Sequence, residues 1–134
     1  MKILFVCEYN ACRSQIAEGL ARHFLPKTVL VQSAGLYPGE VHDWTIEVMR
    51  EIGIDISSYR SKRLEAVSGE TYDYVIILAE PAVEATQTIK AKKRLPWFHP
   101  DPAKEPGSAD EVKVAIRRVR DSLKNQIETF SKNL

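Results

Sequence analysis

The fold is decided by the stretch Ile3-Leu4-Phe5-Val6-Cys7-Glu8-Tyr9-Asn10-Ala11-Cys12-Arg13-Ser14, near the start of a chain of 134 residues. Its first four residues form an apolar run that predicts a buried strand. After Ser14, apolar residues recur at helical spacing as far as Phe24, and Pro26 lies just beyond them. The stretch therefore predicts a strand, then a tight loop, then the N-terminus of a helix.

The loop between these two elements has the composition of an oxyanion site. Cys7 and Arg13 are separated by five residues, and Ser14 follows directly. Backbone amides at a helix N-terminus attract anions, and the planar guanidinium of Arg13 matches two oxygens of a tetrahedral anion. The same field favours the thiolate of Cys7. We expect Cys7 to be a nucleophile beneath an anion bound by the loop residues Glu8, Tyr9, Asn10, Ala11 and Cys12.

For each of three residues in this stretch, the sequence allows two interpretations. Ser14 either donates a hydrogen bond to Cys7 or is an ordinary serine of a first helical turn. Asn10 either adopts the left-handed backbone that turns loop amides inward or is a surface residue. Cys12 either forms a disulfide with Cys7 or is a small apolar filler.

The rest of the chain alternates between strand and helix patterns. Strands are predicted at 28–33, 73–79 and 94–97, and helices at 43–52, at 81–92, around 64–67 and from the capping box at 108–111 onward. A loop at 36–42 contains Pro38 and Gly39. This alternation predicts an α/β fold in one domain, residues 1–134, with a four-stranded parallel sheet and helices on both faces. Ligands of such sheets bind beyond the carboxyl ends of the strands, where the Cys7 loop begins.

A general acid is needed in addition to the thiolate if the thiolate displaces a leaving group, because that group must take up a proton. Asp101-Pro102 lies in a proline-rich loop just before the last predicted helix. Asp101 is expected to supply the proton, and an ordinary Asp-Pro turn is the alternative.

Composition excludes several classes of protein. The net charge is +1, from 19 basic and 18 acidic residues, so the chain lacks the excess of positive charge that is typical of nucleic-acid-binding proteins. No apolar run approaches the ~20 residues that span a membrane, and the N-terminal run is too short for a signal peptide. The three histidines lack the spacing of metal ligands, and two cysteines do not make a disulfide scaffold. We expect a cytoplasmic enzyme without metal or cofactor that binds a small oxyanion or a phosphorylated substrate.

The stretch 6–18 resembles the anion loop of the low-molecular-weight protein tyrosine phosphatase family, and the likeness extends over essentially the whole chain. The other segments that carry it are Gln32-Ser33-Ala34-Gly35, 48–57, Arg60-Ser61-Lys62, Tyr72-Asp73-Tyr74-Val75-Ile76 and Asp101-Pro102. The resemblance implies a flavodoxin-like topology and makes Asp101 the general acid.

The family has two relevant branches. One branch hydrolyses phosphotyrosine through a cysteinyl phosphate, and the other reduces arsenate on the same loop. Gln15 after Arg-Ser and the stretch 53–57 resemble the arsenate branch. Thioredoxin-coupled reductases, however, carry resolving cysteines after the third strand, where this chain has Leu78-Ala79-Glu80-Pro81. Phosphatases usually have glycine where this chain has Tyr9.

The sequence therefore supports two activities. Hydrolysis of aryl or tyrosine phosphates is expected first, because it needs only a nucleophile, an anion site and an acid. The alternative is arsenate reduction, which needs another thiol: an external one such as glutathione with glutaredoxin, or Cys12. A catalytically silent anion-binding module is disfavoured, because no catalytic group is missing.

Overall fold

The computed structural model describes residues 1–37 and 39–134, so Pro38 of the predicted loop lies outside the described residues. The strands are β1 (Lys2–Cys7), β2 (Leu30–Gly35), β3 (Thr71–Ile77) and β4 (Lys90–Pro96). The α-helices are α1 (Arg13–Phe24), α2 (Asp43–Arg50), α3 (Val83–Thr86) and α4 (Ala109–Ser131). Short 3-10 turns span Leu64–Ala66, Glu80–Ala82 and Pro102–Lys104. Among the described residues, no helix is both long enough and apolar enough to cross a membrane.

The four strands form one parallel sheet in the order β2-β1-β3-β4. Cys7, the last residue of β1, is paired with Gly35, the last residue of β2. From β1 the chain adds β2 on one side of the sheet and then β3 and β4 on the other side. The order in which strands are added therefore reverses at β1. Loops that leave parallel strands at such a point surround a crevice. The predicted α/β fold and its flavodoxin-like order are confirmed.

Helices cover both faces of the sheet, but unequally. Successive residues of a strand point to opposite faces, and the run in β1 is apolar throughout because neither face meets water. Ile3, Phe5 and Cys7 pack on one side with residues of α1, α2 and α4. Leu4 and Val6 pack on the other side, where α3 and residues of the short 3-10 turns cover the sheet.

The predicted helix at 81–92 is wrong. Helical structure there is limited to the turn at Glu80–Ala82 and the four residues of α3, and β4 begins at Lys90 rather than at residue 94. β4 pairs on one side only, with β3. An edge strand tolerates lysines, and the run of basic residues at 90–94 conceals its strand pattern.

The predicted capping box begins α4. Ser108 Oγ accepts a hydrogen bond from Glu111 N at 3.2 Å, and the Glu111 carboxylate accepts one from Ser108 N at 3.4 Å. One stripe of the helix is buried against the sheet and α1, and it consists of Val112, Ile116, Val119, Leu123 and Ile127. The capping box fixes where α4 starts, and therefore where the preceding turn with Asp101 must end.

Candidate active site

The loop at 8–12 is held close to the end of β2. The carbonyl oxygen of Glu8 accepts hydrogen bonds from Leu36 N at 2.7 Å and Tyr37 N at 2.9 Å. Gly35 allows this approach, because a Cβ atom on it would lie only 2.7 Å from the backbone nitrogen of Asn10. The end of β2 therefore acts as a template for the anion loop.

Asn10 is the residue that turns the loop. It is fully buried and has a φ of +52°, which is left-handed backbone. Its Oδ1 accepts hydrogen bonds from Lys62 N at 2.8 Å and Gln15 Nε2 at 2.9 Å. Its Nδ2 donates to Ser14 Oγ at 2.7 Å and to Ser33 Oγ at 2.9 Å. The predicted left-handed backbone is confirmed, and the surface interpretation of Asn10 is wrong.

A buried carboxylate stands behind this network. Ser33 Oγ donates a hydrogen bond to Glu18 at 2.5 Å, and Arg22 Nε donates one to the same carboxylate at 3.0 Å. The Nζ of Lys62 lies 3.9 Å from it. The sequence analysis missed Glu18 and Ser33, although Glu18 is one helical turn beyond Ser14 and so faces the same side of α1.

Ser14 lies beside the candidate nucleophile. Its Oγ is 2.9 Å from Cys7 Sγ, and it already accepts a hydrogen bond from Asn10 Nδ2. Its own proton is therefore free to point at sulfur, as expected for a donor to a thiolate. Cys7 is only 2% exposed, so a reacting partner must enter a confined space to reach it.

Arg13 links the anion loop to the turn that carries Asp101. Arg13 is 4% exposed, and its Nη1 donates a hydrogen bond to the carbonyl oxygen of His99 at 2.9 Å. Its Nη2 lies 3.3 Å from Glu8 Oε1 and 3.8 Å from Asp101 Oδ2. Asp101 Oδ1 accepts a hydrogen bond from Ala103 N at 3.0 Å, so Asp101 both caps a turn and faces the site.

Cys12 has a different environment from Cys7. Both cysteines are free and buried. The Oγ1 of Thr45 donates a hydrogen bond to Cys12 Sγ at 3.1 Å. Burial raises the pKa of the Cys12 thiol to about 12, and the Thr45 hydrogen bond opposes this rise only in part. This burial favours the protonated thiol of Cys12 at neutral pH, and the thiol is a weaker nucleophile than the thiolate.

A cavity of about 290 Å³ opens above Cys7. The exposed side of the cavity, its mouth, is formed by Tyr9 and Lys104, whose Nζ lies 5.2 Å from the Tyr9 ring centroid. The ring of Tyr37 lies 5.7 Å from that of Tyr9. The lining residues are Cys7, Tyr9, Ala11, Cys12, Arg13, Gly39, Asp101, Ala103 and Lys104. The sequence analysis missed Lys104, although it follows Asp101 by three residues and so shares its turn. Within residues 1–37 and 39–134, no group of three or more His, Cys, Asp or Glu side chains is placed to hold a metal ion.

The chain as a whole is similar to known enzymes. A family model described as low molecular weight phosphotyrosine protein phosphatase matches residues 2–134. An arsenate reductase of Halalkalibacterium halodurans is 37% identical over 130 residues, which cover 96% of this chain and 94% of that protein. A glutaredoxin arsenate reductase of Synechocystis is 37% identical over 134 residues, which cover 96% of this chain and 95% of the relative. A solved structure, of an arsenate reductase in the phosphate binding state, aligns with a TM-score of 0.81 at 32% identity, covering 98% of this chain and 97% of the other.

Proposed function

We propose that this chain, which belongs to the low-molecular-weight phosphotyrosine protein phosphatase family, reduces arsenate to arsenite at Cys7 with an external thiol as reductant. The observation that carries the proposal is the buried sulfur of Cys7, 2.9 Å from Ser14 Oγ and in a small cavity shared with Arg13 and Asp101. Relatives with matching lengths are named arsenate reductase, which favours reduction over the hydrolysis expected first from the sequence.

In the first step, the thiolate of Cys7 attacks arsenic(V). A bond forms between Sγ and arsenic, and one arsenic–oxygen bond breaks. Asp101 protonates the departing oxygen, which leaves as water. Arg13 and the loop amides hold the remaining oxygens and stabilise the charge that develops on them. Ser14 stabilises the sulfur anion before the attack.

In the second step, an external thiolate attacks Cys7 Sγ. A disulfide bond forms and the sulfur–arsenic bond breaks, and its electron pair stays on arsenic, which becomes arsenic(III). A second thiol then attacks the mixed disulfide and releases Cys7 as thiolate. The sum is arsenate and two thiols giving arsenite, one disulfide and water, so that two electrons pass from sulfur to arsenic.

The reducing thiols come from outside the chain in this proposal. The sequence contains two cysteines, and Cys12 is buried with its pKa raised to about 12. It would have to leave Thr45 and the loop in order to resolve the Cys7 adduct. A small thiol supported by a glutaredoxin avoids this rearrangement, and glutaredoxin is the partner in the name of the Synechocystis relative.

Hydrolysis of phosphomonoesters is the second candidate. Its first step would use the same residues on phosphorus, and the family description supports it. Two features disfavour an aryl phosphate in this cavity. The side chain of Tyr9 lines the cavity and takes up space there, and the ammonium of Lys104 lies over its ring, so a substrate ring would compete with this cation for the same face.

A paired assay on one preparation separates the two functions. Arsenite formation is measured from arsenate with glutathione and glutaredoxin, and phenolate release is measured from an aryl phosphate. We expect the larger kcat/KM for arsenate and a strict dependence on added thiol. Cys7→Ser should abolish both reactions, and Asp101→Asn should slow both. Efficient aryl phosphate hydrolysis without measurable arsenite formation would overturn the proposal.

A further inference from the structure

One cation at the cavity mouth has no part in the steps proposed so far. Lys104 is the last residue of the turn at Pro102–Lys104, and its backbone nitrogen donates to the carbonyl oxygen of Asp101 at 3.2 Å. The cation and the proposed acid are therefore carried by the same turn. Over the part of the chain that the structure describes, no carboxylate forms a salt bridge with Lys104. Its charge is available to a ligand.

The thiol that regenerates Cys7 enters a cavity that this cation lines. Cys7 is 2% exposed and borders the cavity, whose volume of about 290 Å³ is at the low end for ligand pockets. Cys7 is buried at this cavity and Lys104 is exposed at it, so a thiol whose sulfur reaches Cys7 has its other groups on the exposed side. The groups that flank the sulfur of such a thiol would therefore lie at the mouth, beside Lys104 and Tyr9.

We propose that Lys104 binds a carboxylate of the small anionic thiol that regenerates Cys7, so that the chain selects thiols of the glutathione class over neutral or cationic ones. This inference rests on the proposed function. The ring of Tyr9 keeps the ammonium over the mouth before the thiol arrives. Each ammonium carries three donors, so Lys104 can bind a carboxylate without leaving the ring.

The test isolates thiol attack from arsenate chemistry. The neutral reagent 4,4′-dithiodipyridine converts Cys7 to a mixed disulfide, and mass spectrometry checks that one label is present per chain. An added thiolate then attacks Cys7 Sγ. A new disulfide forms, and thiopyridone leaves with the electron pair of the broken bond. The absorbance of released thiopyridone gives the second-order rate constant.

Four thiols are compared: glutathione and 3-mercaptopropionate are anionic, 2-mercaptoethanol is neutral, and cysteamine is cationic. Dividing each variant's rate by the wild-type rate removes the intrinsic reactivity of each thiol. Lys104→Met should slow the anionic thiols roughly three- to fivefold, the size of an exposed charge pair, and leave 2-mercaptoethanol unchanged. Lys104→Glu should favour cysteamine, and Lys104→Arg should keep the wild-type preference. Added salt should weaken that preference.

Lys132→Met is the matched control. Lys132 is an exposed lysine at the far end of α4, which is roughly 34 Å long at 1.5 Å per residue. It should leave every rate unchanged. An equal effect of Lys104→Met on all four thiols would overturn the inference, and so would a dependence on Lys104 seen only when a glutaredoxin is the attacking thiol. If the thiol rates depend on charge through Lys104 but the enzyme does not form arsenite, the proposed function is contradicted and the binding of anionic thiols by Lys104 is supported.

Discussion

Replacement of Cys12 by serine tests where the second thiol comes from. Burial raises the pKa of Cys12 to about 12, so at pH 7.5 only about 3 × 10⁻⁵ of it is thiolate. A small thiol with a pKa near 8.5 is roughly one-tenth thiolate at the same pH. Cys12 therefore starts with a disadvantage of about three thousandfold in reactive species.

Proximity opposes this disadvantage, because a well-aligned intramolecular group can act at a very high effective concentration. Alignment would require Cys12 Sγ to leave the hydroxyl of Thr45, which lies 3.1 Å away. It would also disturb the start of α1, where the carbonyl oxygen of Cys12 accepts a hydrogen bond from Ile16 N at 2.9 Å. We therefore expect Cys12→Ser to form arsenite within about threefold of wild type, with serine accepting the same bond from Thr45.

The assay measures steady-state arsenite formation with saturating glutathione and glutaredoxin. Aryl phosphate hydrolysis by the same preparation reports whether the anion loop is intact. A fall of more than tenfold in arsenite formation, with hydrolysis unchanged, would refute the reasoning and make Cys12 the resolving thiol. Thioredoxin without a small thiol should not sustain turnover in either protein.

The contacts of three further residues predict the outcome of substituting each of them. Arg13→Lys keeps the charge but loses the planar fork, so kcat/KM for arsenate should fall by about 10² or more, measured as arsenite formation. Gly35→Ala places a Cβ within 2.8 Å of backbone atoms of the anion loop, and should lower stability by about 1–3 kcal/mol in chemical denaturation and impair turnover. Gly69→Ala, which meets nothing within 4 Å, is its control and should do neither. Hydrogen bonds from Arg117 hold the pKa of Glu51 at about 2, and a lowered carboxyl pKa stabilises the fold above the unfolded pKa. Glu51→Gln should therefore lower the free energy of unfolding at pH 7 by less than about 1 kcal/mol, because both side chains are more than a third exposed, and the difference should vanish as the pH falls from about 5 to 2.

The sequence predicts the part of the site that is local along the chain. The apolar run of β1, the five residues between Cys7 and Arg13 and the helical spacing of α1 are all contained in 24 residues. Even the backbone of Asn10 could be predicted, because asparagine tolerates positive φ better than most residues. Interactions between residues close in sequence determine these features, so sequence patterns predict them.

The rest of the site depends on contacts between distant segments. No pattern of neighbouring residues predicts that Nη2 of Arg13 lies between Glu8 and Asp101. Nor does one predict that Ser33 connects Asn10 to a buried carboxylate. The start of β4 was missed for a related reason. Its lysines fit a helix as well as a strand, and only pairing with β3 decides between them.

In the proposed function, the choice between the two chemistries is not made by Cys7, Arg13 or Ser14. Both candidate reactions would begin with the same attack by Cys7, supported by the same contacts from Ser14 and Arg13. They diverge when the adduct is resolved, because an attack of water on the bound atom leaves its oxidation state unchanged, whereas an attack of a thiolate on Sγ sends two electrons to it. Arsenic(V) accepts those electrons and phosphorus(V) does not under these conditions. In this proposal, the side chains that act on the choice are those that the second nucleophile meets in the cavity, Tyr9 and Lys104. A motif search restricted to Cys7, Arg13 and Ser14 finds the nucleophile in either enzyme and does not detect the side chains that the second nucleophile meets.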